Sequence, residues 1–351
     1  MAEGRVISFK KIPNEEASPI ISVVLFDYVN HKYVRESIKS VIEQNFPAEL
    51  FELLIMTDDL EFGYLDILSK CNINWILVYT GTISIGRSIL ISLEYSGGNI
   101  ICPLDNDDLF RRDRLSIVYN IFKASPGMCF IKNEVKPFSR GIKSKVLPLI
   151  YYVKMNIPCR SRNRIYELNI KTPLKIYGRS IMHNSSSMSI SKDILKNNRT
   201  KLSELVTFPD SFMFIASLLS GRKCVYLDIP LTLYSVEMGS ATRTYHLSDG
   251  IVKSRSLMAL EHHINFFSDD IKNSSNRRLK DLFLLYRVSV SIILFINENS
   301  TIEIQTNELI NSIQIALKFH AHNALLLIFL YLTLSFRPTK RLGRSIYNKL
   351  Y

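Results

Sequence analysis

Cysteine is scarce and scattered in this sequence of 351 residues. The five cysteines are Cys71, Cys102, Cys129, Cys159 and Cys224, and no two of them have C-x-x-C spacing. An odd number of widely spaced cysteines argues against a disulfide scaffold and against a structural zinc site. Three of them lie in apolar runs, where cysteine behaves as a small buried hydrophobe. We therefore expect a protein of a reducing, cytoplasmic compartment.

Glycine and proline are also few, with 13 and 12 residues, which excludes collagen-like and low-complexity classes. Hydrophobic residues make up 47% of the chain and charged residues 22%, so there is enough apolar material for a folded core. The longest hydrophobic stretch, 324–336, is shorter than the roughly 20 residues that span a bilayer. Residues 1–18 lack the apolar core of a signal peptide. We therefore do not expect this chain to be an integral membrane protein.

Positive charge is concentrated in two segments of this chain, whose net charge is +12. Between Lys132 and Arg179 there are twelve basic and two acidic residues. The last fifteen residues carry five basic side chains and no acidic one. Localised positive charge favours an anionic partner, either phosphate groups or a lipid surface. A solvated face without a partner is the alternative for the middle segment.

Apolar periodicity predicts alternating strands and helices over the first 130 residues. This alternation is typical of βαβ units and predicts an α/β fold, a mainly parallel sheet flanked by helices. The predicted strands are 20–26, 51–56, 75–79 and 100–104, and the predicted helices are 34–45, 84–96 and 109–123.

The rest of the chain divides into an irregular part and a helical part. Residues 132–180 are basic, contain four prolines and lack periodicity, which indicates an insertion or a mobile loop. From residue 250 onward long helical periods predict a helical C-terminal appendage. The predicted regions are an extension over 1–18, a main domain over 19–245 and a helical region over 246–351. Further strands are predicted at 188–190, 224–227 and 231–234, and further helices at 210–219, 251–267, 278–298 and 301–334.

Aspartates follow two of the predicted strands. Asp58 follows the second strand, and Asp105, Asp107 and Asp108 follow the fourth. Ligands of open α/β sheets bind beyond the carboxyl ends of the strands, and an Asp-x-Asp pair offers oxygen ligands to a hard divalent cation. For Asp108 alone we favour another role, the N-cap of a helix that begins at Leu109.

Three ordered blocks of the sequence resemble family 2 glycosyltransferases, which are inverting enzymes of the GT-A fold. The first block has the pattern S-I-x-S-V-x-x-Q within ESIKSVIEQNFP, between the first strand and the acid of the second. The second is GGNIICPLDNDDLFRRDRL with the Asp-x-Asp motif, and the third is PDSFMFIASLLSGRKCVYLDIPLTLYS. The resemblance covers about 19–131 and 186–242.

The resemblance implies roles for individual residues. Asp58 corresponds to the acid that hydrogen-bonds the nucleobase, and Phe26 and Tyr28 lie in the loop that packs on base and ribose. Asp105 and Asp107 correspond to the acids that hold ribose and a manganese or magnesium ion. The other implied donor contacts are Asn106 within the motif and Arg87, a candidate for the diphosphate.

Asp210 corresponds to the catalytic base that deprotonates the acceptor hydroxyl. A helix N-cap before Ser211 is the alternative for this residue, and one residue can serve both purposes. The sequence departs from the family pattern at Thr57, where an acid is usual, and at Pro209, where glutamate is common. The Q-x-x-R-W motif of processive synthases is absent from the sequence, which favours transfer of one sugar per encounter.

These implications define a metal-dependent hexosyltransferase that takes a nucleotide-sugar donor, with UDP as the expected nucleotide. The expected acceptor is a cell-surface polysaccharide, glycolipid or glycoprotein glycan, free or lipid-linked. The alternatives are a catalytically degenerate scaffold of the same fold or a basic nucleic-acid-binding protein, although no nucleic-acid reader motif is present. The apolar and basic segment 324–351 predicts either contact with the inner face of the cell membrane or packing on the domain.

Overall fold

The computed structural model describes residues 5–10, 18–28, 30–61, 63–140, 163–169, 172, 176, 181–236, 266–296, 304–319, 324–325 and 328. These residues fall into two compact units. The described residues from 5 to 168 and from 182 to 236 form the first unit, and the others form the second.

A single mixed sheet forms the centre of the first unit. Its strands are β1 (Arg5–Lys10), β2 (Ile21–Asp27), β3 (Phe51–Thr57), β4 (Asn74–Tyr79), β5 (Ile100–Asp105), β6 (Leu109–Phe110), β7 (Met128–Phe138), β8 (Ile165–Glu167), β9 (Met188–Ser191) and β10 (Lys223–Ser235). The order is β1-β4-β3-β2-β5-β9-β7-β10-β6, and β8 pairs with β10. The strands β4, β3, β2 and β5 pair in parallel, as do β7 and β10.

The parallel strands are buried on both faces because helices cover them. In the first unit these are α1 (Val34–Ile42), α2 (Leu65–Lys70), α3 (Ile85–Tyr95), α4 (Arg114–Ala124), α5 (Lys192–Asn197), α6 (Arg199–Glu204) and α7 (Pro209–Leu219). Every residue of β2 and β3 is buried, which is why both strands read as continuous apolar runs. The α/β class with a mainly parallel central sheet, expected from the sequence, is confirmed.

The close fit of helix and sheet is visible where α3 returns to the sheet. A Cβ atom at Gly98 would lie 2.6 Å from the backbone nitrogen of Ser22. The peptide N–H of Gly98 donates a hydrogen bond to Ser22 Oγ over 2.9 Å. Glycine is therefore required at residue 98 by the close approach of β2, whereas the helix itself ends earlier, with Ser96 as its C-cap.

Three elements differ from the predictions. Leu109 and Phe110 pair with β10 as strand β6, so the helix predicted from residue 109 begins only at Arg114. Residues 132–138, expected to be irregular, belong to β7. The strand was not recognised because the buried polar side chains of Lys132 and Glu134 interrupt the apolar pattern. The two strands predicted around Pro230 form one strand with an irregular register.

The ends of the first unit also differ from expectation. Within the predicted extension 1–18, Arg5–Lys10 adds an antiparallel edge strand to β4. Most of the basic segment 141–180 lies outside the described residues, so its proposed role as a mobile loop stays a prediction.

The described part of the second unit contains three helices. These are α8 (Ser268–Asn273), α9 (Arg277–Ile296) and α10 (Thr306–Phe319), and Arg287 of α9 forms an ion pair with Glu308 of α10. The helix predicted over 278–298 is confirmed by α9, and α10 covers part of the one predicted over 301–334. Nearly all of the helix predicted over 251–267, and nearly all of 324–351, lies outside the described residues. No helix in the described part of the chain combines the length and apolarity needed to cross a bilayer.

Candidate active site

The carboxyl ends of β2, β3 and β5 meet at one edge of the sheet. In the parallel register Asp27 lies beside Thr57, and Phe26 lies beside Asp105. Since side chains beyond these ends share one crevice in open α/β sheets, the polar residues that follow each strand are neighbours in space. We call this region the acidic edge.

Asp27 connects two loops of the acidic edge. Its carboxylate is fully buried and lies 2.9 Å from Nδ1 of His31. The side-chain amide of Asn106 donates to the same carboxylate over 3.0 Å and to the carbonyl oxygen of Asn30 over 2.9 Å. The predicted donor residue Asn106 therefore uses its amide nitrogen to tie the Asp-x-Asp loop to the loop after β2.

Phe26 and Tyr28, predicted to pack on base and ribose, lie side by side. Their ring centroids are 6.4 Å apart and the rings are nearly parallel, at 28°. The hydroxyl group of Tyr28 hydrogen-bonds to the hydroxyls of Thr80, over 2.9 Å, and Ser88. Burial raises the pKa of this phenol, so Tyr28 stays neutral. The two rings form a fixed aromatic wall at the end of β2.

Asp58, predicted to bind the nucleobase, lies close to His31. Its Oδ1 is 3.6 Å from His31 Nε2, longer than a hydrogen bond, and about 20% of the side chain is exposed. Burial raises the pKa of Asp58, and the nearby His31 opposes this rise. No other described group hydrogen-bonds to Oδ1. Because Oδ1 is itself buried, a ligand can reach Asp58 only through the exposed part of its side chain.

His31 was missed in the sequence analysis, although it contacts both Asp27 and Asp58. The signal was its position four residues after a buried aspartate at a strand end. Arg87, the predicted diphosphate contact, lies in the first turn of α3 with an exposed side chain. None of the contacts described here joins its guanidinium group to an aspartate of the acidic edge.

Asp105 ends β5 and is surrounded by serine hydroxyls and other acids. The hydroxyl group of Ser185 donates to the Asp105 carboxylate, 3.2 Å from each oxygen. Burial, followed by the negative charges of Asp107 and Asp210, raises the pKa of Asp105 to about 7. Asp105 and Asp107, predicted to bind the donor and the metal, and Asp210, the predicted base, therefore lie close enough to interact electrostatically.

Asp107 lies in the turn after β5, and its carbonyl oxygen is held by Arg140. The guanidinium group of Arg140 donates to this oxygen over 2.9 Å and to Glu36 over 2.6 Å. It also stacks on the ring of Tyr33, 4.1 Å from the centroid. Arg140, which the sequence gave no reason to select, thus fixes the backbone of the turn that carries Asp107.

Asp108 does not cap a helix, contrary to the prediction. Because Leu109 and Phe110 are in β6, no helix begins there, and the carboxylate of Asp108 points into the interior. It accepts hydrogen bonds from the peptide N–H of Ser235 over 2.8 Å and from the side-chain amide of Asn184 over 2.7 Å. Burial raises the pKa of Asp108 well above its usual value.

Asp210 lies in the first turn of α7, after Phe208 at the N-cap and Pro209. Its Oδ1 accepts from the peptide N–H of Ser211 over 2.8 Å, and its Oδ2 accepts from that of Asn184 over 2.9 Å. Burial raises the pKa of Asp210, and the charge of His183 is the main opposing influence. Asp210 is thus not the N-cap, and its second oxygen faces Asn184 rather than its own helix.

The donor set at Asp105 and Asp107 is compatible with a divalent cation that also binds a diphosphate. Magnesium-like ions are commonly held by one or two carboxylates together with substrate phosphates. Burial is the main cause of the raised pKa of Asp105, and a cation would offset the second cause, the negative charges of Asp107 and Asp210. Among the described residues, no group of three or more histidine, cysteine, aspartate or glutamate side chains is arranged as a preformed metal site.

Solved structures of nucleotide-sugar enzymes have the same fold as this chain. S. aureus TarS 1–349 is 16% identical, with a TM-score of 0.55 over 95% of this chain and 89% of that one. Its complex with UDP-GlcNAc gives 15% identity and a TM-score of 0.57 over the same shares. Mannosyltransferase PcManGT from Pyrobaculum calidifontis, in complex with GDP-Man and Mn²⁺, is 12% identical, with a TM-score of 0.52 over 97% of this chain and 90% of that one. The fold is that of GT-A glycosyltransferases.

Residues 22–196 match the sequence profile described as Glycosyl transferase family 2. The chain belongs to this family, as the sequence resemblance implied. No curated protein matches it significantly over its sequence.

Proposed function

We propose that this protein is an inverting glycosyltransferase that moves a hexose from a nucleoside diphosphate sugar to an acceptor hydroxyl. The observation that carries the proposal is the meeting of Asp105 and Asp210 at one edge of the sheet, although they are 105 positions apart in the numbering. Asn184 binds Asp210 and the adjacent Ser185 binds Asp105. A donor held at Asp105 and an acceptor beside Asp210 would then face each other.

The donor nucleotide would bind between the aromatic wall and Asp58. The partly exposed carboxylate of Asp58 suits an N–H group of a nucleobase, and Phe26 and Tyr28 offer apolar rings to base and ribose. A uridine nucleotide is our first choice, and a guanosine nucleotide is the second. TarS was solved with UDP-GlcNAc and PcManGT with GDP-Man, so both occur in this fold.

Asp105 and Asp107 would hold the cation on the diphosphate. When bound, a manganese or magnesium ion offsets the negative charge that develops on the leaving nucleoside diphosphate. Arg140 would keep the Asp107 turn in place through the carbonyl oxygen of that residue. Arg87 remains a candidate for a contact to the diphosphate because its exposed guanidinium group is free to move toward a ligand.

Asp210 would act as the general base. An acceptor hydroxyl is a weak nucleophile, and a positioned carboxylate removes its proton as it attacks the anomeric carbon in line with the leaving group. The attack inverts the configuration at that carbon. A pKa raised by burial makes the Asp210 carboxylate a stronger base than a solvated aspartate.

For the acceptor we propose a cell-surface polysaccharide or another glycan, free or carried on a lipid, at the inner face of the cell membrane. The support is the positive charge of the last fifteen residues, which suits an anionic surface. This segment lies outside the described residues.

Calorimetric titration with UDP, with and without Mn²⁺, tests the proposal. We expect the two ligands to bind cooperatively, and Asp107→Asn to abolish this coupling. The matched control is Asp193→Asn, which changes an exposed acid of α5 paired with Arg222. A panel of UDP-, GDP- and dTDP-sugars, followed by nucleotide release, then identifies the donor. Cooperative binding without turnover of any donor or acceptor would indicate the degenerate scaffold, and no binding at all would contradict the proposal.

A further inference from the structure

A short polar turn lies between the acids of the acidic edge. Asn184, Ser185, Ser186 and Ser187 are all at least nine-tenths buried, and the last three form a 3₁₀ turn before β9. Buried polar groups require hydrogen-bond partners. The partners of this turn include three acids from two separate parts of the chain, so its contacts set the positions of these acids relative to one another.

Asn184 contacts two of the acids at once. Its peptide N–H donates to Asp210 Oδ2 over 2.9 Å, and its side-chain amide donates to Asp108 Oδ2 over 2.7 Å. The two bonds leave from different atoms of one residue. Asn184 therefore links the first turn of α7 to the loop after β5.

The next two residues hold the third acid. Ser185 Oγ donates to the Asp105 carboxylate over 3.2 Å, and the peptide N–H of Asp105 donates to Ser186 Oγ over 3.0 Å. The predicted donor acid Asp105 and the predicted base Asp210 are thus bound to neighbouring residues of one turn.

The turn is itself held from two strands. Lys132 of β7 donates to Ser187 Oγ, which donates in turn to the carbonyl oxygen of Asn184 over 2.7 Å. Thr232 of β10 donates to the carbonyl oxygen of Ser186 over 3.1 Å. These bonds leave the turn little freedom to move independently of the sheet.

The backbone of Asn184 has φ of +67°, in the left-handed region. Rotation about its N–Cα bond sets the angle between the peptide that donates to Asp210 and the turn that donates to Asp105. Asparagine and glycine adopt this conformation far more readily than other residues, and alanine disfavours it. The position of Asp210 relative to Asp105 therefore depends on the backbone conformation of Asn184.

Building on the proposed function, we propose that Asn184 is a positioning residue whose left-handed backbone aims Asp210 at the acceptor while its turn fixes Asp105 on the donor. Asn184 itself touches neither substrate. A displacement of a catalytic group by about 1 Å can cost on the order of 100-fold in rate. The backbone conformation of Asn184, which positions Asp210, therefore governs turnover rather than donor binding.

Two variants separate the backbone from the side chain. Asn184→Ala and Asn184→Gly both remove the amide that binds Asp108, but only glycine keeps the left-handed conformation at low cost. We expect alanine to lower kcat about 30-fold and glycine about threefold, with KM for the donor within about twofold in both. The assay is release of UDP from UDP-GlcNAc, or from whichever donor the panel identifies.

Gly127→Ala is the matched control for strain. Gly127 has φ of +79°, is exposed before β7 and has no atom within 4 Å of an added Cβ. It lies at the amino end of β7, away from the acidic edge. This variant should lose the folding stability that alanine costs at a positive φ, and its kcat should equal that of the wild type.

Equal losses in the alanine and glycine variants would overturn the proposal, because the amide to Asp108 would then carry the effect. Unchanged kcat in both, or a rise in donor KM that accounts for the loss, would also overturn it. Crystal structures of the two variants give a readout without activity: the bond from residue 184 to Asp210 should persist with glycine and be lost with alanine. Absence of turnover in the wild type would instead contradict the proposed function, and these structures would still decide the role of Asn184.

Discussion

The two halves of the acidic edge are built in different ways. The nucleotide half consists of Asp27 at the end of β2, His31 in the loop after β2 and Asp58 after β3, and His31 contacts both acids. The base half consists of Asn184 and Asp210, which come from the turn before β9 and from α7 and also bind the loop after β5. One half is built from the ends of two adjacent parallel strands, whereas the other joins a turn, a helix and a loop that are not consecutive in the chain.

Solvent exposure also distinguishes Asp58 of the nucleotide half from Asn184 of the base half. The side chain of Asp58 is about 20% exposed, so a ligand can reach it. Asn184 is only 7% exposed, and its hydrogen bonds are made to other parts of the protein. We infer that the nucleotide half is adapted to bind and release a ligand. The base half is adapted to hold a fixed geometry, so changes in the two halves should affect different kinetic constants.

The largest expected effect comes from the base half. Asp210→Asn keeps the shape of the side chain and the acceptor for Ser211 but removes the basic carboxylate. General bases contribute about 10²- to 10⁴-fold, so we expect kcat to fall by roughly 1,000-fold. Affinity for UDP with Mn²⁺, measured by calorimetry, should change by less than about threefold.

Asp66→Asn is the control for this variant, since Asp66 is an exposed acid paired with Arg35. Retention of more than about a tenth of the wild-type kcat by Asp210→Asn would be incompatible with Asp210 as the base.

In the nucleotide half we expect a smaller effect, on donor binding rather than on kcat. Asp58→Asn removes a charged acceptor, and hydrogen bonds to charged groups are worth about 1.5–3 kcal/mol. We expect KM for the donor and Kd for UDP to rise about 30-fold, while kcat stays within about threefold because Asp210 is untouched. Fluorescence or calorimetric titration of UDP measures the change. A fall in kcat with unchanged KM would remove the distinction between the two halves.

The sequence predicted the nucleotide half better than the base half for a physical reason. Strands β2, β3 and β5 are apolar on both faces, so their ends and the acids after them are legible from hydrophobic runs. The base half lies beside β7, where the buried ion Lys132 interrupts that signal and made the strand look irregular. Asp210 was accessible through family resemblance, but Asn184 needed the left-handed backbone and the contacts, which no local pattern encodes.

Asp108 illustrates the same limit. An aspartate before Leu109 is typical of a helix N-cap, and local propensity favoured that interpretation. Pairing of Leu109 with β10, a contact between distant segments, overrides the propensity and turns the carboxylate toward Ser235.

Arg140 provides a test at the boundary between the halves, since it holds the carbonyl oxygen of Asp107. Arg140→Ala removes this bond together with the ion pair to Glu36 and the stacking on Tyr33. A hydrogen bond of about 1–1.5 kcal/mol corresponds to roughly tenfold, which we expect as a loss of UDP affinity in the presence of Mn²⁺. UDP affinity without the metal should hardly change.

Arg199→Ala, which removes an exposed arginine paired with Glu94, is the matched control for Arg140→Ala. Equal loss of UDP affinity with and without Mn²⁺ would show that Arg140 acts on the fold rather than on the Asp107 turn.

The smallest expected effect is a pH dependence of stability in the base half. Burial lowers the pKa of Lys132 from 10.5 to about 8, with Glu134 and Asp210 opposing the change. Between these values the unfolded chain binds a proton that the folded protein does not, so this group makes the free energy of unfolding rise with pH.

The slope is at most about 1.4 kcal/mol per pH unit, and Lys132→Met should lack it. Urea unfolding from pH 7 to 10 measures the difference, with Lys196→Met, an exposed lysine of α5, expected to follow the wild type. Parallel curves for wild type and Lys132→Met would mean that Lys132 is solvated, which would contradict its burial beside the base half.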